Sequence, residues 1–173
     1  MSKARPIGIS RLTQQDVAAA TARHEMLHLS RRGGARAVFI FCDLSGVDLS
    51  GRNLADADFT GAVMGEVNLA GAKLDSANFF GADLCRSNLA GASIRRANLR
   101  GASLRGADLR GVNLSGAMLN HADLRDAKMG PLLISAGRFL PARLDNAQAR
   151  YADFRGAELK RVRLSAPTSP TPT

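Results

Sequence analysis

Residues 101–127 read GASLRGADLRGVNLSGAMLNHADLRDA, and this stretch decides the fold. Divided into fives it becomes ASLRG, ADLRG, VNLSG, AMLNH and ADLRD, each with one large apolar residue at its centre. Stepping by five from Phe39 to Leu164 gives 26 such centres, and all but Ala149 are large and apolar. The residue two before the centre is usually small, and it is Ala in 17 of the 26 cases. A repeat this regular predicts a repeat architecture.

A period of five fits neither an α-helix nor a flat strand, so the backbone must turn a corner at every fifth residue. The centre and the small residue two before it then point inward, and the chain winds into a solenoid of stacked coils. Phe39, Phe59, Phe79 and Phe139 are separated by multiples of 20 residues. This spacing indicates coils of four pentapeptides with these rings on one face, and hence about six and a half coils.

The run from Ala37 to about Lys128 resembles the pentapeptide-repeat family, whose motif is A(D/N)LXX, and a weaker continuation extends to Leu164. The resemblance implies an all-β fold, a right-handed quadrilateral β-helix, here spanning residues 37–164. Asp and Asn are lost before the centres at residues 130–149, where Pro131 and Pro141 enter. Because proline cannot donate to a ladder, we expect a bulged or looped coil there.

The segments on either side of the repeat differ from it in pattern. Residues 1–36 predict an N-terminal segment with a helix over about residues 14–30 that caps the first coil, because Thr13 and Asp16 have capping-box spacing. The stripe Val17, Ala20, His24 and Leu27 should face the coil. Residues 165–173, rich in Pro and Thr, predict a disordered tail.

The segment HEMLH, residues 24–28, has the spacing of a zinc-protease helix. His24 and His28 would bind the metal, and Glu25 would activate water. The alternative is a capping helix in which His24 hydrogen-bonds the first coil. The only other histidine, His121, lies in a distant coil, and a filled solenoid offers no substrate cleft. We therefore reject the zinc site and expect no metal, no cofactor and no enzymatic activity.

The composition narrows the class of protein. No apolar run is long enough to span a bilayer, and residues 1–10 lack the apolar segment of a secretory signal, so we expect a cytoplasmic protein with no membrane partner.

Cys42 should point inward and Cys85 outward. Their centres lie two coils apart, roughly 10 Å, which is too far for a disulfide, so both are expected to be thiols.

The net charge of +9 is distributed unevenly, with an acidic segment at residues 37–85 and a basic one at residues 86–163. On four-sided coils the arginines after successive centres form a belt around the rod, with Asp145 following Arg105 and Arg125 in one column. Nucleic-acid binding favours a continuous basic track along one surface, and single strands also need aromatic side chains on which bases can stack. A belt that lacks outward aromatic side chains is therefore a poor nucleic-acid site. The candidate polyanion contacts are Arg86, Arg95, Arg96, Arg100, Arg105, Arg110 and Arg125.

The leading hypothesis for function is a non-enzymatic protein-interaction scaffold with an unknown protein partner. The first alternative is binding of nucleic acid or another polyanion through the basic half. The second is the DNA-mimic modulation of DNA gyrase or another topoisomerase that the family resemblance implies, although this rod is acidic only at residues 37–85. A homodimer through the C-terminal coil is a further expectation from the resemblance.

Overall fold

The computed structural model describes residues 9–165, and regular secondary structure is sparse within them. One helix, α1, spans Gln14–His28. Two short strands, β1 (Leu132–Ser135) and β2 (Arg138–Leu140), pair antiparallel as a hairpin. The other repeat residues form turns joined by single parallel bridges. The predicted tail lies outside the described residues, apart from Ser165.

The bridges define the coil. Each residue before a centre pairs with the residue 20 positions later, from Val38 with Asp58 to Asp108 with Lys128. A coil therefore holds four pentapeptides, as the phenylalanine spacing predicts. Leu104 of one coil, for example, donates its N–H to Asp123 of the next at 2.7 Å. Parallel bridges at this separation stack the coils at the usual strand spacing of roughly 4.8 Å.

The interior of the rod is solid. The centres from Phe39 to Met129 and the residues two before them are almost completely buried, except for Cys42 and Arg52. Phe59 lies between the rings of Phe39 and Phe79, with ring centroids 5.3 and 4.9 Å apart. Each buried Leu contributes roughly 1.5–3 kcal/mol before chain entropy is subtracted. The stacked apolar interior therefore holds the coils together.

The corners explain the other positions of the repeat. The carbonyl of each centre accepts the N–H three residues later, as in Ala62 to Phe59 at 3.0 Å. The residue between them, two after the centre, has a positive φ of about 60°, which favours glycine. The Asp or Asn before a centre accepts the N–H two residues later, as Asp83 does from Cys85 at 3.0 Å. This side-chain bond accounts for the Asp/Asn preference in the repeat.

Residues 131–140 leave the solenoid as the hairpin, which corrects two sequence predictions. Asn113 bridges Arg143, 30 residues later instead of 20, so ten residues are looped out. Ile134 and Phe139, counted as inward centres, are exposed on the hairpin, and Phe139 does not join the phenylalanine column. The inserted length is a multiple of five, so the sequence period continues through it unchanged. The rod therefore has 24 inward centres in six coils.

The hairpin folds back onto the rod. A Cβ placed at Gly111 would lie 2.7 Å from Leu132 Cβ and 3.2 Å from the Leu140 carbonyl oxygen, and one at Gly91 would lie 3.2 Å from Leu132 Cδ2. Leu132 and Leu140, at the base of the hairpin, therefore pack over the corner at Gly111. Leu133 and Phe139 pair across the two strands and are exposed.

Helix α1 lies against the first coil. Thr13 and Asp16 form the predicted capping box, and the helix ends at His28, two residues before the predicted boundary. Its buried residues are Val17, Thr21 and His24. Leu27, predicted on the buried stripe, is 46% exposed, because the contact face follows the 17, 21 and 24 positions instead.

The two ends of the rod differ. At the N-terminal end Arg11 bridges Asp43, and Gln14 exchanges side-chain hydrogen bonds with the backbone of Asp48, both at 2.9 Å. The last coil, residues 147–165, here called the terminal coil, bridges only the coil before it among the described residues. It leaves an apolar cavity of about 290 Å³ open at the end of the rod. Its lining comprises Leu144, Ala147, Ala149, Phe154, Leu159, Val162 and Leu164.

Candidate functional site

The HEMLH histidines bind the first coil. The Ala37 N–H donates to His24 Nδ1 at 3.1 Å, so the proton of the neutral ring lies on Nε2. That nitrogen is 3.2 Å from His28 Nε2, which lies 3.0 Å from the Ala55 carbonyl oxygen. Glu25 accepts the Asn53 N–H at 3.4 Å. All three candidate zinc residues therefore contact the solenoid backbone. Residues 9–165 contain no group of three or more His, Cys, Asp or Glu side chains arranged to hold a metal ion.

The His24 contact predicts a pH-dependent stability. Burial and the neighbouring His28 lower the pKa of His24, and Arg36 adds to this against the opposing Ala55 carbonyl and Asp56. The unfolded chain then binds the proton first, so the free energy of unfolding should fall as the pH drops below about 6.5, by at most about 1.4 kcal/mol per pH unit. Denaturant titrations between pH 5 and 8 measure this slope.

Two substitutions isolate the His24 contribution. His24→Gln keeps an acceptor for the Ala37 N–H without a titrating ring, so the slope should flatten. His121→Gln, at an exposed histidine, should leave it intact. Equal stability of the unsubstituted protein at pH 5.5 and 7.5 would contradict the prediction.

Ion pairs occupy most of the predicted arginine belt. Arg86 pairs with Glu66 at 2.9 Å, and Arg105 contacts Asp126 at 3.6 Å. Paired arginines offer less free charge to a polyanion than the sequence count suggests. The remaining pairs are Arg95 with Asp75 at 2.5 Å, Arg110 with Asp108 at 2.5 Å and Arg125 with Asp123 at 2.6 Å. Of the seven candidates, only Arg96 and Arg100 lack an ion pair within the described part of the chain.

One side of the rod, the groove face, carries the pentapeptides centred on Leu44, Met64, Leu84, Leu104, Leu124 and Phe154. Because of the hairpin, the column that runs through Arg105 and Arg125 continues to Arg155, which corrects the predicted Asp145. Hydrogen bonds from Arg125 lower the pKa of Asp123, and those from Arg155 lower the pKa of Asp153 to about 2. The column is thus neutralised by its own carboxylates.

The groove face has an open groove of about 710 Å³. Cys85 Sγ lies 3.0 Å from Ser103 Oγ within it. Cys85 and Cys42 are both half-buried, and neither forms a disulfide in residues 9–165. The carboxylates of this face do not form a bare acidic surface of the kind that mimics DNA, because arginines lie among them. The groove is lined by Gly65, Asp83, Cys85, Arg86, Ser103, Arg105, Gly106, Asp123, Arg125 and Asp126.

A second side, the phenylalanine face, carries the pentapeptides centred on Phe39, Phe59, Phe79, Leu99, Leu119 and Ala149. Phe80 and Tyr151 point outward from it and are 52% and 82% exposed. Arg100 and Arg150 lie beside them without an ion pair in the described chain. This cluster could not be predicted from the sequence, because the hairpin shifts residues 150 and 151 from the faces that an unbroken count of pentapeptides assigns to them.

The hairpin presents apolar side chains to solvent. Leu133 and Phe139 pair across the two strands and are exposed, as is Ile134, and these three side chains are here called the patch. In the part of the chain that the structure describes, no helix has the length and apolar character needed to cross a membrane.

Comparisons with known proteins agree with the fold. Residues 42–79, 53–91 and 92–130 match the family described as pentapeptide repeats, in eight copies. The chain is similar to the pentapeptide repeat protein Rfr23 of the cyanobacterium Cyanothece 51142, at 25% identity and a TM-score of 0.53, covering 82% of this chain and 97% of that one. No curated protein sequence matched.

Two further solved structures are similar over shorter stretches. A pentapeptide repeat protein from the Arabidopsis thaliana thylakoid lumen is 32% identical, with a TM-score of 0.45, over 55% of this chain and 70% of that one. QnrB1, a plasmid-mediated fluoroquinolone resistance protein, is 26% identical, with a TM-score of 0.49, over 73% of this chain and 62% of that one.

Proposed function

This chain belongs to the pentapeptide-repeat family, and on that premise we propose that it is a non-enzymatic protein-interaction scaffold in the cytoplasm. The coils form the right-handed quadrilateral β-helix of the family, and α1 caps its first coil. The filled interior supports a binding role, because the buried centres leave the outer faces and the hairpin as the surfaces that can meet a partner. The partner is another protein.

The hairpin carries the proposal. Its base leucines, Leu132 and Leu140, seat on the rod, whereas Leu133, Ile134 and Phe139 face solvent. Exposed apolar side chains that cluster on a loop held by a rigid scaffold are typical of a protein-binding element. The hairpin is also the one interruption of the coils within residues 37–165, and its patch of apolar side chains contributes nothing to the rod interior.

Removal of residues 131–140 tests the proposal. The deletion joins Gly130 to Pro141, and it is combined with Pro141→Gly because the corner two residues after Met129 needs a positive φ that proline cannot adopt. The 20-residue spacing between Asn113 and Arg143 is then restored, so the rod should fold with unchanged circular dichroism. Proteins captured from the native cells by the full chain should be purified and titrated against both forms. We expect the deletion to weaken binding at least tenfold.

Point variants separate the patch from the hairpin backbone. Leu133→Ser with Phe139→Ser removes outward apolar area and should reproduce the loss. Val38→Ser with Ile40→Ser removes side chains of comparable exposure elsewhere and serves as the matched control. A captured protein that binds the hairpin variants as tightly as the full chain would contradict the proposal.

The terminal coil supports a second element of the same proposal, a homodimer. Leu159 and Leu164 rim the open apolar cavity, and Leu164 is 74% exposed. Within residues 9–165 the outer edge of the terminal coil forms no bridge, and a free edge favours pairing with another chain. A second copy that stacks end to end on this coil would cover the apolar side chains and the edge together, around a shared two-fold axis.

A further inference from the structure

We propose that the phenylalanine face binds single-stranded nucleic acid through Arg100, Arg150, Phe80 and Tyr151. This inference does not depend on the hairpin or on the scaffold role. Its occupant is a single strand, because the face combines unpaired cations with exposed aromatic rings, the two features that single-strand binding surfaces share.

The outward column of this face sets the order of the contacts. Gly61 N–H donates to the Phe80 carbonyl, Gly81 N–H to that of Arg100 and His121 N–H to that of Arg150, at 2.9–3.0 Å. These bonds place residues 80, 100, 120 and 150 in successive coils. Arg100 and Arg150 are therefore two coils apart, roughly 10 Å. Phe80 lies directly beside Arg100 in this column.

The corner column beside it carries aromatic rings at both ends. Phe41 lies over Gly61, where an added Cβ would collide with its ring. Tyr151 stacks on His121, with ring centroids 5.1 Å apart and an angle of 18° between the planes. Between these rings the surface at Gly81 and Gly101 is open to solvent, since a Cβ at either glycine would meet no atom within 4 Å. Bases can stack on the rings at either end.

The charges single out this face from the other three. Its pentapeptides contain one acid, Asp58, which pairs with Arg36. From Ala97 to Tyr151 the face carries no carboxylate, and neither Arg100 nor Arg150 has an ion pair in the described residues. The exposed aromatic side chains of the coils, Phe41, Phe80 and Tyr151, all lie here. On the groove face, by contrast, carboxylates neutralise the arginines.

Fluorescence anisotropy tests the proposal with the full chain and labelled 15-nucleotide oligo(dT) and oligo(U). We expect saturable binding at 50 mM salt that weakens as salt rises. Arg100→Gln with Arg150→Gln should raise the Kd at least tenfold and reduce the slope of log K against log salt by about 1.4, the value for two lost phosphate contacts. Tyr151→Ala should raise the Kd about fivefold or more. Circular dichroism checks that each variant is folded.

The matched control is Arg110→Gln with Arg125→Gln, which removes the same charge from ion-paired positions and should change the Kd less than threefold. The deletion of residues 131–140 should bind as the full chain does. Absence of binding at 50 mM salt, or an equal loss in the control, would overturn the proposal. Competition by polyglutamate as strong as by oligo(dT), or an unchanged Kd for Tyr151→Ala, would assign the face to acidic proteins or to polyanions in general and would also overturn it.

Discussion

Replacement of Phe79 by alanine should lower the free energy of unfolding by about 3–5 kcal/mol. The side chain is fully buried, and its ring stacks on Phe59 with 4.9 Å between centroids and 4° between planes. Its removal leaves a cavity that rigid neighbouring coils cannot fill, and it also removes an aromatic pair. Urea titration followed by circular dichroism measures the loss.

The adjacent residue provides the control. Phe80 has the same side chain one position along the chain, but the corner turns it outward and leaves it half-exposed. Phe80→Ala should therefore change the unfolding free energy by no more than about 0.5 kcal/mol. Similar losses for both variants would mean that the five-residue period does not set which side chains point inward.

A charge on the open end should convert the proposed dimer into a monomer. Leu159→Asp with Leu164→Asp places two carboxylates where the second copy would bury apolar area, and burial of unpaired charge is costly. Light scattering coupled to size-exclusion chromatography should give twice the chain mass of 18.3 kDa for the unsubstituted protein. The double variant should give the single-chain mass.

Two results would contradict the dimer. One is a monomeric unsubstituted protein at tens of micromolar, and the other is a double variant that remains dimeric. Leu133→Asp, which alters a similarly exposed leucine on the hairpin, is the matched control and should leave the mass of the dimer unchanged. A monomeric control would instead assign the contact between copies to the hairpin.

The coil could be predicted from sequence because every pentapeptide repeats the same physical requirement. A large centre, a small residue and a corner residue that tolerates positive φ recur so often that single exceptions do not hide the pattern. Asp/Asn side chains satisfy the same backbone N–H at coil after coil. The capping box of α1 could also be predicted from the sequence, because it depends only on the short-range contact between Thr13 and Asp16.

The surfaces could not be predicted in the same way. Ile134 and Phe139 keep the period while they lie in the hairpin, so the sequence alone counts them as core. Because the sequence does not reveal this ten-residue insertion, the pentapeptides after it were assigned to the wrong faces of the rod. Arg155, and not Asp145, therefore follows Arg125 in its column. Leu27 was misplaced because helix α1 meets the coil through a contact face that its own periodicity does not specify.

The corner between Gly130 and Pro141 has a practical consequence. The chain leaves the rod at this corner and re-enters it without disturbing the neighbouring bridges. Asp108 still bridges Lys128 before the hairpin, and Arg143 bridges Arg163 after it. Unrelated peptides, such as an epitope or an affinity tag, could therefore be grafted in place of residues 131–140. The rod would then serve as a rigid carrier that displays a foreign sequence at a fixed height along its axis.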